Sequence, residues 1–155
     1  MRVNEIAGTD SLAALLGERA VNLRQTILRA HRGMNNRIAR KFAERGYQDI
    51  RPRHLSILAN MNLGNTTIVD LYERAQITEN GVRDVADELM RLGYLKKTNV
   101  ADATAELEFT DTGWELMLTS FNIQKELEAE FKERLRSGDV DELRRILGAM
   151  FEETQ

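Results

Sequence analysis

The hydrophobic period of this chain changes at Gly93, and that change restricts the fold more than any other feature. Before it, two short stretches carry apolar residues at helical spacing: Ile68, Leu71, Tyr72 and Ala75, then Val82, Val85, Ala86 and Leu89. Only Gln76 and Ile77 separate the first stretch from Thr78, which is suited to cap the second helix. Two short helices joined by so tight a turn make a helix-turn-helix candidate. After Gly93 the pattern alternates. Residues 94–99 read as a strand, and in 104–110 the residues Ala105, Leu107 and Phe109 alternate with Thr104, Glu106 and Glu108. The polar stretch 99–103 joins the two as a hairpin tip.

Helices flank this unit on both sides. From Ser11 to about Arg45, the residues Leu12, Leu16, Leu23, Ile27, Ala30, Met34, Ile38 and Phe42 recur mostly at steps of three and four. They predict one helix of more than thirty residues, capped at Thr9, Asp10 or Ser11 and ended by Gly46. So long a stripe cannot be buried by short neighbours alone, and a partner chain is the natural solution. Pro52 suits the first turn of a second helix that carries Leu55, Leu58, Ala59 and Met61 and stops near Gly64. Thr110–Gly113 opens a long helix with Trp114, Met117, Phe121, Leu127, Phe131 and Leu135, broken at Gly138. Asp139 and Glu142 give a capping-box-like start to a last helix carrying Val140, Leu143, Leu147 and Met150. The predicted fold is mainly α with a small β-wing: a winged helix-turn-helix flanked by N- and C-terminal dimerisation helices. The expected division is 1–50 for the N-terminal dimerisation helix and lead-in, 51–113 for the DNA-binding module, and 114–155 for the C-terminal dimerisation helices.

Composition narrows the function. The chain has no cysteine, which excludes disulfides, cysteine–zinc sites and thiol redox sensing. Its two histidines, His31 and His54, make a histidine-rich metal site or a histidine-based triad an unpromising reading. No phosphate-cradling glycine loop, paired carboxylates in a concave setting or activated nucleophile stands out, so neither an enzyme nor a bound cofactor is expected. No apolar run or signal pattern suggests a membrane, and the expected location is the cytoplasm. The net charge of −3 hides an uneven distribution. Ten basic residues between Arg19 and Arg53 face two acids, for +8, whereas from Lys125 onward six bases face nine acids, for −3. Such asymmetry suggests separate partner surfaces.

Residues 45–114 resemble the MarR (multiple antibiotic resistance regulator) family of transcriptional regulators. Arg45-Gly46-Tyr47-Gln48-Asp49-Ile50-Arg51-Pro52-Arg53-His54-Leu55 is similar to that family's loop into its second helix. The run from Ile77 to Leu95 matches its recognition helix and first wing strand without a gap, with Asp87, Leu89 and Gly93-Tyr94-Leu95 especially typical. Phe109-Thr110-Asp111-Thr112-Gly113 resembles the Leu-Thr-x-x-Gly pattern that closes the wing. Each fragment alone is weak; their order and spacing together are specific. The resemblance implies a homodimer of interleaved terminal helices that presents two recognition helices to a palindromic double-stranded operator. It also implies a regulator, most often a repressor, that a small anionic aromatic or lipophilic effector releases from DNA.

The residues available to contact DNA are Arg51, Arg53, Thr66, Thr67, Thr78, Asn80, Gly81, Arg83, Lys96 and Lys97. Asn80 suits bidentate reading of adenine, and Arg83 suits guanine or phosphate. The bland alternatives are a turn role for Asn80, an ion pair with Asp87 for Arg83, and solvation for the two lysines. The surface also departs from the family pattern. Glu79 and Asp84 stand where basic or small polar residues are common, and the wing tip lacks the usual Asp-x-Arg. Each acid facing phosphate opposes the counterion release that drives binding. The alternative function is therefore a winged-helix dimer with weakened or lost DNA binding that acts through protein contacts. His31, Asn35 and His54 are candidate effector contacts, although a satisfied surface or interface role is the simpler reading for the histidines. Trp114 is expected in core or dimer packing, and the six methionines read as core filler.

Overall fold

A computed structural model of the chain describes residues 17, 22–98 and 106–151. The caps expected at Thr9–Ser11, the stripe residues Leu12 and Leu16, and the hairpin tip 99–103 with Thr104 and Ala105 lie outside them. The described elements are α1 (Leu23–Glu44), α2 (Pro52–Leu58), β1 (Thr66–Thr67), α3 (Ile68–Ala75), α4 (Glu79–Arg91), β2 (Leu95–Lys97), β3 (Glu106–Phe109), α5 (Asp111–Arg134) and α6 (Asp139–Phe151).

The expected continuous N-terminal helix is interrupted. Asn22 is extended, and its side-chain oxygen accepts the Gln25 N–H at 3.4 Å, so α1 starts there, while Gly17 ahead of it is helical. Asparagine satisfies an orphan N–H of the first turn better than it continues a helix. Helix α2 has Pro52 at its first position but ends at Leu58, well short of Gly64. Asparagines beyond it bond locally instead: the Asn60 amide donates to Ser56 O, and Asn62 Oδ1 accepts from Arg74 at 2.6 Å.

The wing has one more strand than the alternation predicts. Thr66 and Thr67 pair antiparallel with Leu107 and Glu106, giving a three-stranded sheet in the order β1-β3-β2. A two-residue strand is too short to show any alternation. Thr67 also caps α3, in a box where the Asp70 N–H donates to Thr67 Oγ1 and the Thr67 N–H donates to Asp70 Oδ2. The Thr67 hydroxyl, which donates to Asp70 Oδ2 at 2.8 Å, and then the Thr67 N–H hold the Asp70 carboxyl below the usual carboxylate range.

The period change at Gly93 has a direct structural cause. Gly93 adopts φ +82, its N–H bonds Met90 O, and the Tyr94 N–H bonds Leu89 O, which ends α4 and turns the chain into β2. Tyr94 is buried and donates its phenol to Asp49 Oδ1 at 3.0 Å; burial first, then that carboxylate, pushes it up to about 12. Helix α5 opens where Thr110 Oγ1 accepts the Gly113 N–H. The expected capping box at Asp139 is absent: Asp139 Oδ2 accepts from the Arg136 N–H, and Glu142 pairs with Arg145.

Phe42, Ile57, Leu71, Val82, Leu89, Leu107, Leu116 and Ile123 are fully buried, so α1 to α5 and the sheet share one core. The described methionines do not fill it. Met61, Met90 and Met117 pack at its edge, and Met34 and Met150 are exposed. Trp114 stacks at a tilt on Phe109 and keeps about a third of its surface exposed.

Candidate nucleic-acid interface

Helices α3 and α4, joined through Gln76 in the left-handed conformation (φ 55), form the helix-turn-helix. Thr78 caps α4 by accepting the Gly81 N–H at 3.2 Å. Val82, Ala86 and Leu89 are buried, which leaves Glu79, Asn80, Arg83, Asp84, Asp87 and Arg91 on the outer face. Polar donors thus stand at the helix N-terminus, where recognition helices meet base edges. The same face carries three carboxylates against two guanidinium groups.

Arg83 pairs with Glu79, not with Asp87 as the sequence suggested. Its Nε and Nη2 both donate to Glu79 Oε1, at 3.0 and 2.5 Å. A glutamate four residues N-terminal to a cation is the favoured orientation on a helix. Gly81 leaves its capping oxygen close by, since a β-carbon there would lie 3.1 Å from Thr78 Oγ1. Asn80 stays exposed at the helix start.

The remaining candidates divide. Thr66 is corrected: it is fully buried, and its hydroxyl accepts from the Asn62 N–H at 2.9 Å, so it is no surface donor. Thr67 is half-buried and engaged in the α3 cap. Lys96 reaches across the sheet to Glu108 at 3.4 Å, and Lys97 is exposed beside it. Arg51 is exposed ahead of α2, and its N–H donates to His54 Nδ1 at 3.1 Å. Arg53 is exposed but bound to Glu88 of α4 at 2.7 Å.

The effector set does not assemble. His31 and Asn35 sit one turn apart on exposed α1, 3.0 Å from each other. His54 is fully buried and contacts Arg51 and Glu88 instead. Because Nδ1 accepts a backbone N–H, the neutral ring carries its proton on Nε2. That atom lies 2.9 Å from Glu88 Oε2, within reach of the carboxylate. The adjacent imidazole and then the Arg53 guanidinium hold the Glu88 carboxyl below the usual range. Sequence spacing missed Glu88 as the partner of both residues; the one hint was that His54 shares a helical face with buried Leu58. An open groove of about 750 Å³ lies beside this cluster, lined by Arg53, Asp84, Val85, Asp87, Glu88, Met90 and Arg91.

Part of the basic block lies away from this face. Arg37 pairs with Glu130, Lys41 with Glu126 and Glu130, and Arg45 with Glu126, tying α1 to α5. No group of three or more histidine, aspartate or glutamate side chains among the described residues is placed to hold a metal ion. No helix among them is long and apolar enough to cross a membrane.

A helix-turn-helix backed by a three-stranded antiparallel sheet and bracketed by long helices is a winged-helix module. The chain has the winged-helix fold of MarR-type transcriptional regulators. It superposes on wild-type MarR from E. coli in its apo form with a TM-score of 0.68 at 16% identity, over 84% of this chain and 97% of that one. It matches the transcriptional regulator BldR from Sulfolobus solfataricus with a TM-score of 0.66 at 19% identity, covering 86% and 94%. It also matches Bordetella bronchiseptica BpsR, whose DNA binding is regulated by 6-hydroxynicotinic acid, with a TM-score of 0.66 at 14% identity, covering 84% and 95%. No protein-family model matches the sequence, and no curated protein sequence does either.

Proposed function

We propose that this protein is a sequence-specific DNA-binding transcriptional regulator that acts as a homodimer, with residues 51–113 as the DNA-binding module. The observation that carries the reading is the outer face of α4, which presents Asn80 and Arg83 beside the capped N-terminus of an exposed helix. Lys97 and Arg51 supply further exposed cations for phosphates. Repression, with release by a small molecule, is the regulatory mode suggested by its structural relatives. The groove beside Arg53 and Arg91 is a better place for such an effector than the separated His31, Asn35 and His54.

Titrating the purified protein against its own upstream region and a scrambled duplex, at rising salt, tests this. Specific binding that weakens with salt is expected, with a shallow slope because the acids of α4 limit phosphate contacts. Equal binding to both duplexes, or none at low salt, would sink the proposal.

One observation favours a second reading, a scaffold that acts through protein contacts. Arg53 and Arg83 are already bound to carboxylates of α4, and Asp84 and Asp87 remain outside. Under that reading, replacing Glu79 and Asp84 by lysine creates DNA binding that the wild type lacks. Nanomolar binding by the wild type excludes it.

A further inference from the structure

The Glu79–Arg83 pair carries more than a balance of charge. We infer that it is a preorganised reader of guanine, in which Arg83 contacts the base and Glu79 is the positioning residue that keeps the guanidinium on base edges and off phosphates. This rests on the DNA-binding reading above.

Both residues stand in the first two turns of α4 on its outer face, each with about half of its side chain exposed. Nε and Nη2 of Arg83 converge on the single oxygen Oε1 of Glu79. A guanidinium has five N–H donors in a fixed fork. This contact uses the edge that carries Nε. The opposite edge, between Nη1 and Nη2, keeps two parallel donors, which is the geometry that matches O6 and N7 of guanine. Oε2 of Glu79 takes no part in the contact, so it can accept from an exocyclic amine, N4 of cytosine or N6 of adenine, on a neighbouring pair.

The carboxylate also decides what Arg83 avoids. A phosphate that reaches Arg83 must approach Glu79, and Asp84 next to it on the same exposed face, against like charge. The neutral acceptors of guanine meet no such opposition. The pair therefore lowers general affinity for DNA while raising the preference for one base. Each good bidentate contact of this kind discriminates by roughly tenfold or more.

The test starts from a random duplex pool selected with the full-length protein. Affinity is then measured on the selected site, and on the same site with each half-site guanine replaced in turn by 7-deazaguanine, which lacks the N7 acceptor. Wild type, Arg83→Ala, Arg83→Lys and Glu79→Gln are compared at several salt concentrations. The expected result is a roughly tenfold loss at one guanine for wild type. Arg83→Lys should lose that discrimination although it keeps the charge. Glu79→Gln should lose it too, while its salt slope steepens by about one as the freed arginine turns to phosphate.

Two results overturn the inference alone. In one, Arg83→Ala weakens all duplexes equally and lowers the salt slope by about one, which marks a phosphate contact. In the other, Glu79→Gln tightens all duplexes equally with the guanine preference intact, which marks Glu79 as a mask. Wild type that binds no duplex overturns this inference together with the DNA-binding reading.

Discussion

Gly113 lies where the wing meets α5, and its backbone is so close to the residue just ahead of β2 that a β-carbon would stand 2.1 Å from Tyr94 O. The same β-carbon would also meet the Phe109 ring at 3.1 Å. Neither contact is easily relieved. Tyr94 O accepts the Thr110 N–H, and Phe109 is buried in the core. Gly113→Ala should therefore destabilise the fold by about 2 kcal/mol or more, as overpacking against fixed backbone does. Equilibrium denaturation by urea, followed by the helical circular-dichroism signal, measures this. An unchanged midpoint would show that the wing and α5 are not locked together at this point. The glycine of the Phe109–Gly113 motif thus has a packing reason. Thr110 completes the junction, since its hydroxyl accepts from Gly113 N–H and donates to Gly93 O at 2.5 Å.

Between elements, the clearest electrostatic contact is the ladder that joins α1 to α5. Arg37, Lys41 and Arg45 lie one turn apart and meet Glu126 and Glu130, which are also one turn apart. The Arg45 guanidinium, then the Lys41 ammonium, holds the Glu126 carboxyl below its usual range, and Lys41 does the same for Glu130. A carboxylate depressed in the folded state adds stability above its unfolded value and loses it as the pH falls through the folded one. The double variant Glu126→Gln with Glu130→Gln should melt earlier than wild type at pH 7. The gap should close in acid, and also in molar salt because the pairs are partly exposed. A gap that persists in acid would assign the loss to packing. This ladder also shows what could be read in advance. The basic block and the acidic C-terminal segment were both plain in the sequence, but which surfaces they faced depended on the crossing of two helices whose paired residues lie 81 to 93 positions apart in the chain. Local signals performed well where one residue settles the backbone, as at Pro52, Thr78, Gly93 and Thr110. They failed at Asn22, where a cap competes with a long stripe, and at Thr66–Thr67, a strand too short to show a period. At the site, residue types were legible and pairings were not: Arg83 had acids on both sides of it, and the burial of His54 against Glu88 is tertiary.

At the scale of the molecule, α6 is tied to α5 by the Arg144–Glu128 ion pair at 3.1 Å but has no apolar cover within one chain. None of its residues is buried, while Leu143, Ile146, Met150 and Phe151 stand open to solvent, as do Leu118 and Phe121 on α5. Burying a leucine, isoleucine or phenylalanine side chain is worth about 1.5–3 kcal/mol, and these bare faces add none of that to the stability of a lone chain. In the proposed homodimer a second copy would cover them by symmetry, each apolar helix meeting its counterpart. It would also place two recognition helices on one duplex, where the second contact becomes intramolecular and raises avidity by roughly a hundredfold or more. Leu143→Glu with Ile146→Glu should thus separate the copies with α4 untouched. In sedimentation at micromolar concentration, wild type should run as a dimer and the variant as a monomer that keeps its helical signal. The variant's affinity for the selected duplex should fall by about the same hundredfold. A variant that stays dimeric would place the interface on other helices, and a monomeric wild type would remove the two-fold operator from the proposal. A monomeric variant that binds DNA as tightly as wild type would show that one recognition helix suffices.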